Sequence, residues 1–202
     1  TPCGTLFPYT TLFRSGILRF PLSIFTRADV ASFALPMMIA GLFSEVYGAL
    51  MALAERDIKR IIAYSSVSQM GYILFGLGTL TAEGITGATL HVAFHAIVKA
   101  LLFMGAGWVI KSTGRRDITE LGGLAKRMPL AAMATGLGAL AIAGMPPFCI
   151  FNSEWMIFSG GFHTAHIGLS VVTLLGSLLT VVYAAQLIIG IFFGSEPEGL
   201  TV

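Results

Sequence analysis

The chain of 202 residues is 55% hydrophobic and 11% charged, with a net charge of +2 at neutral pH. Soluble domains carry about 25% charged residues, so this chain cannot coat a water-facing globule, and its small net charge gives no reason to expect a nucleic-acid partner. Cys3 and Cys149 are its only cysteines, which leaves no disulfide framework and no metal-ligand spacing. What remains is an all-α, polytopic membrane helix bundle, with 24 glycines suited to close helix approach in lipid.

Residues 1–15 read TPCGTLFPYTTLFRS, without periodicity or signal-peptide organisation. The run Pro8–Ser15 resembles translated adapter sequence, so these residues are expected to be a non-native leader and the chain a fragment of a longer protein. Residues 16–30 are expected to hold the end of a preceding helix and a loop, before a membrane domain over 31–194. The first crossing, 32–53, is apolar except for Ser44 and Glu45, and the charged turn Glu55–Arg60 follows it. The second, 61–80, carries Ser65, Ser68 and Tyr72 at i, i+3 and i+7, a polar stripe suited to a partner helix, with Gln69 beside it. The third, 85–110, is long enough to cross a ~30 Å hydrocarbon core at ~1.5 Å per residue.

A polar loop, Lys111–Arg127, precedes an apolar stretch that is interrupted at Gly144–Cys149 by Pro146 and Pro147. Proline inside a helix removes a backbone hydrogen bond and clashes with the preceding turn. The expected fourth crossing, 129–158, is therefore built from two half-helices. The fifth, 167–193, reads as uniformly apolar and uncharged, and a polar tail occupies 195–202. Arg56, Lys59 and Arg60 in one loop and the five basic residues of Lys111–Arg127 in another fall on the same side, which the positive-inside rule makes cytoplasmic. Arg27, with Arg14 and Arg19, would lie opposite.

Lys99 is a lone charge near the middle of the third crossing, where a lysine costs at least ~2.5 kcal/mol. His91 and His95 precede it at spacings of four, which places all three on one helix face about 6 Å apart along the axis. Snorkelling would explain Lys99 only near an interface, and a simple structural pairing needs a partner acid. A ladder of titratable groups inside the membrane points instead to proton or ion movement. Their heads are too far apart for direct hydrogen bonds, so water must bridge them. Glu154, just past the break and beside Trp155, is the matching acid, since broken helices expose backbone groups where transporters bind ions. Glu45 is an isolated intramembrane acid with no partner evident, and Lys59 serves equally as a topology signal or a relay residue. No glycine-rich nucleotide loop, iron–sulfur cysteine cluster or haem site is visible, and His163 and His166 are isolated.

Three motifs carry a family resemblance: Asp57–Tyr72 (DIKRIIAYSSVSQMGY), His91–Phe103 (HVAFHAIVKALLF) and Gly122–Pro129 (GGLAKRMP). Together they resemble the antiporter-like membrane subunits of respiratory complex I, a family shared with Mrp sodium/proton antiporters and membrane-bound hydrogenases. The resemblance implies that Gly16–Phe20 ends an eighth helix and that the crossings are helices nine to thirteen, the second of two inverted repeats. It implies that Lys59, His91, His95 and Lys99 lie on a central polar axis and that Glu154 sits on the broken helix, as in M-type subunits. Glu45 matches none of these motifs. The implied function is proton translocation, coupled to electron transfer elsewhere. The chain itself would bind no cofactor; NADH, quinone and iron–sulfur clusters would reside in partner subunits. Partners would be other membrane subunits and the lipid bilayer of a prokaryotic inner membrane, with protons or sodium ions as cargo. An Mrp-type antiporter subunit, a hydrogenase subunit or a non-transporting helical scaffold are the alternatives.

Overall fold

Six α-helices make up residues 27–194, the part of the chain that the computed structural model describes. They are α1 (Arg27–Ala54), α2 (Ile58–Gly78), α3 (Ala82–Thr113), α4 (Pro129–Ile142), α5 (Cys149–Phe162) and α6 (Ile167–Phe192), with a 3-10 turn at Ile118–Glu120. The expected leader, the expected helix end at Gly16–Phe20, Arg14, Arg19 and the tail at 195–202 lie outside the described residues. Four stretches are long and apolar enough to cross a membrane: Ala31–Ala54, Ile58–Gly78, Ala82–Thr113 and Ile167–Phe192. The stretch expected as one broken crossing, 129–158, is two separate helices, the second reaching Phe162, and each has only 14 residues. At ~1.5 Å per residue neither half spans a ~30 Å core.

Local chemistry sets these ends. Asp57 caps α2 by accepting hydrogen bonds from the backbone N–H groups of Lys59 (2.8 Å) and Arg60 (3.3 Å), which starts the helix at Ile58 rather than Ile61. Thr81 caps α3 through the Gly84 N–H at 3.0 Å, and Gly114 closes it with φ of 70°. Between α4 and α5, Gly144 takes φ of 65° and two prolines follow, so the chain cannot continue as helix.

The α1–α2 contact is made by glycines. A Cβ at Gly71 of α2 would run into the backbone of Glu45 and the carbonyl of Gly41 on α1. In lipid, where apolar side chains gain nothing by leaving the solvent, such backbone approach supplies the dispersion energy that holds helices together. The apolar core runs through Ile58, Ile62, Leu102, Leu124, Ile150 and Leu187. Large apolar side chains such as Phe43, Trp108, Met133 and Leu178 point outward.

The two basic loops meet at one end of the bundle, as their charge pattern predicts. Asp57 and Asp117 form an antiparallel bridge, with Ile58 N–H donating to the Arg116 carbonyl and Ile118 N–H to the Arg56 carbonyl, each at 3.0 Å. The Ala125 N–H donates to the Phe192 carbonyl and ties the second loop to α6. Asp117 accepts from the Thr119 hydroxyl (2.6 Å) and N–H (2.8 Å), and these bonds hold its carboxyl below the ordinary carboxylate range. Because the folded value is depressed, the tie contributes above the unfolded value and is lost as pH falls through the folded one.

Gly71→Ala in the full-length chain should lower stability by about 1–3 kcal/mol through overpacking against α1. Gly107→Ala, where nothing stands within contact distance, should lose nothing. Thermal unfolding of the two purified variants in detergent checks this, and equal behaviour would remove the glycine contact as the basis of α1–α2 packing.

Candidate functional site

The inward face of α3 carries His91, His95 and Lys99 among Ala88, Val98 and Leu102. His91 and His95 are 0% and 1% exposed, and Lys99 only 3%, so the whole ladder is inside the bundle. The two imidazoles stack with ring centroids 6.1 Å apart and planes within 16° of parallel. That separation matches the rise of four helical residues.

Lys99 is held by α2. Its Nζ donates to the Ile62 carbonyl at 2.7 Å and to the Ser65 hydroxyl. Ser65 in turn donates to the same carbonyl at 2.9 Å. The polar stripe of α2 thus supplies the oxygens that a buried ammonium needs. Lys59 sits one turn before Ile62, half-buried, at the end where the basic loops meet.

His91 is clamped between α2 and α5, and its hydrogen bonds can be assigned by counting protons. The Ile142 carbonyl can only accept, so the Gln69 amide turns its Nε2 to it (3.4 Å) and its Oε1 to His91. His91 Nε2, 2.7 Å from that oxygen, must carry a hydrogen. His91 Nδ1 lies 3.0 Å from the Ser153 hydroxyl, which is also 2.8 Å from the Ile150 carbonyl. While His91 is neutral, one hydroxyl proton serves two acceptors. Once protonated, His91 donates to Ser153 and the hydroxyl turns to Ile150. His91 therefore takes up a proton without giving up either hydrogen bond.

Glu154, 4% exposed, follows Ser153 on α5. Its carboxyl lies against Gly144 and within hydrogen-bonding reach of Gln69. A Cβ at residue 144 would strike that carboxyl, so glycine is needed there both for its positive φ and for space. Ile142 is in the last turn of α4, where carbonyls lack helical partners, and Gln69 satisfies it. The break and the acid form one unit.

Sequence reasoning did not single out Gln69, Ser153 or Tyr183 as candidates. Tyr183 is fully buried on α6, within reach of Gln69 and Ser68. The reading of 167–193 as uniformly apolar is corrected here: Thr173, Gly176, Thr180 and Tyr183 recur at helical spacing and form the buried face of α6. That periodicity of small and polar residues was the available signal. Glu45 is 0% exposed on α1 and faces Gly176 and Tyr72. His163 lies apart, 3.7 Å from Glu83 at the opposite end, and both are exposed. Among the described residues, no group of three or more His, Cys, Asp or Glu side chains converges as metal ligands.

Residues 1–180 match the family model described as NADH:quinone oxidoreductase/Mrp antiporter, TM. Formate hydrogenlyase subunit 3 of Escherichia coli is 33% identical over 99% of this chain and 35% of its own length. NADH-quinone oxidoreductase subunit L of Campylobacter jejuni is 42% identical over 77% of this chain and 26% of its own. A chain of the Mrp complex from Dietzia sp. DQ12-45-1b superposes with a TM-score of 0.87 at 30% identity, covering 92% of this chain and 34% of that one. The chain thus spans about a third or less of the length of these relatives.

The assignment of hydrogens around Gln69 makes neutral His91 the Nε2–H tautomer. Nitrogen-15 spectra of histidine-labelled full-length protein, compared with Gln69→Leu, should show that tautomer only with Gln69 present. An Nδ1–H tautomer in the parent protein would contradict the assignment.

Proposed function

The chain belongs to the NADH:quinone oxidoreductase/Mrp antiporter family of membrane subunits, and from that premise we propose that it is the proton-translocating part of an integral, multi-pass subunit in a larger complex. In this reading α4 and α5 together make the fourth of five crossings, and the end that gathers Arg56, Arg60 and Arg116 faces the cytoplasm of a prokaryotic cell. The observation that carries the reading is the buried series Glu154, His91, His95 and Lys99, which starts beside the helix break on α5 and continues along one face of α3.

A proton held on Glu154 passes to His91 Nδ1 at the Gln69–Ser153 clamp, leaving Glu154 as the carboxylate. His91 then releases a proton from Nε2 toward His95 and Lys99, bridged by water where rings and ammonium do not touch, and the Gln69 amide turns to donate to the emptied nitrogen until the imidazole regains its Nε2–H form. Lys99 holds its proton against the Ile62 carbonyl and Ser65. Lys59, one turn nearer the basic end, completes the path to that side. Electron transfer, with NADH, quinone and iron–sulfur chemistry, belongs to partner subunits in this reading. The likeness to the Mrp complex supports a second reading, exchange of protons for sodium ions without a redox partner.

The test uses the full-length subunit assembled in its complex in membrane vesicles. Lys99→Met and Glu154→Gln should assemble, yet slow proton uptake by about 10²-fold, the smaller end of what a positioned proton-transfer group contributes. Undiminished uptake in Lys99→Met would overturn the relay. If Lys99→Met instead prevents assembly while Lys99→Arg is harmless, the ladder is scaffold. Uptake in the parent vesicles only against an imposed sodium gradient would favour antiport.

A further inference from the structure

Glu45 is left outside this path, yet it is fully enclosed on the face of α1 that Met38, Gly41, Gly48 and Ala52 also bury. Its carboxyl is pressed so close to α6 that a Cβ at Gly176 would collide with Oε1. The Tyr72 hydroxyl of α2 faces it, and Glu154 of α5 is near enough to interact with it electrostatically. Tyr183 of α6 senses both carboxyls and reaches Gln69 and Ser68. Both Glu45 oxygens, the hydroxyls of Ser68, Tyr72 and Tyr183, and Oε1 of Glu154 are buried without a closed, well-aligned hydrogen bond. Tyr72 also lies against the His91 ring, with centroids 6.1 Å apart.

Two acids separated by hydroxyls form a distinctive arrangement. A hydroxyl donates to a carboxylate and accepts from a carboxylic acid, so the same partner suits either protonation state of Glu45. A metal cation would instead need several oxygens converging on one point, whereas Oε1 of this carboxyl is directed end-on at the Gly176 position of α6.

We propose that Glu45 is a second proton-holding carboxyl, off the His91–Lys99 line, which exchanges a proton with Glu154 through the hydroxyls of Tyr72 and Tyr183. In each exchange the Glu154 acid gives its proton to the Tyr183 oxygen as that hydroxyl passes its own to Tyr72, and Tyr72 passes its proton to the Glu45 carboxylate. Glu154 is left as the carboxylate and both tyrosines are unchanged. The titratable groups facing Glu45 are Tyr72 from α2, Glu154 from α5 and Tyr183 from α6. The relay thereby gains a branch toward the α1–α6 side of the bundle. The inference rests on the proton-translocation reading.

The experiment follows the carboxyl C=O stretch by infrared difference spectroscopy across a pH jump, in the full-length subunit within its complex, alongside vesicle proton uptake. The parent protein should show a band that disappears in Glu45→Gln and changes frequency in Tyr72→Phe. Proton uptake should fall in Glu45→Gln. A pH-silent Glu45, with uptake unchanged in Glu45→Gln but lost in Lys99→Met, overturns the branch and leaves the relay standing. Unchanged uptake in Lys99→Met overturns the relay, and the infrared band then decides Glu45 separately. If Glu45→Gln fails to assemble, Tyr72→Phe keeps the carboxyl in place, and an unmoved band overturns the proposal. A band that responds to sodium at fixed pH assigns the site to a cation instead.

Discussion

A charged ammonium deep in a membrane helix must be met by oxygen atoms, and most of the site's architecture follows from where Lys99 finds them. It takes the Ile62 carbonyl and the Ser65 hydroxyl of α2, and so brings the polar stripe of α2 against the inward face of α3. One turn beyond Ser65, Gln69 then reaches His91, and Tyr72 lies against its ring. The cost of burying one charge is offset by a contact that also sets the position of the neutral groups beside it.

The second constraint is the helix break. Interrupting a helix within the bilayer frees backbone carbonyls that hydrocarbon cannot satisfy. Here the freed Ile142 carbonyl is taken by Gln69, and the space left by the missing side chain of Gly144 is filled by the Glu154 carboxyl. An acid at the break is thus packed into the fold rather than attached to it. Gln69 links four elements at once through Ile142, His91, Glu154 and Tyr183. A disturbance at the break therefore reaches the histidine ladder through one side chain.

Much of this was legible in the sequence. The long apolar runs gave the long helices, the proline pair marked the break, and spacings of four put His91, His95 and Lys99 on one face. Lysine and arginine counts placed the two basic loops together, and the Asp57–Asp117 bridge joins them. The rest depended on three-dimensional meetings that linear spacing does not encode. Gln69 and Ile142 are 73 residues apart, and nothing local ties an amide to that carbonyl. Tyr183 was hidden because hydropathy averaging over α6 outweighs a stripe of threonines and glycine, although the period was there to be read. Glu45 offered no partner in sequence because its neighbours come from α2, α5 and α6.

The central claim is that a proton resides on Lys99 in transit, rather than the charge serving only to brace α3. Incorporating γ-thialysine at position 99 of the full-length subunit keeps the side chain's length and charge but makes its ammonium a stronger acid. A proton path through Lys99 predicts that the pH profile of vesicle proton uptake moves to lower pH with assembly unchanged. A profile identical to that of the parent protein would show that Lys99 does not exchange protons during uptake, and would contradict the relay.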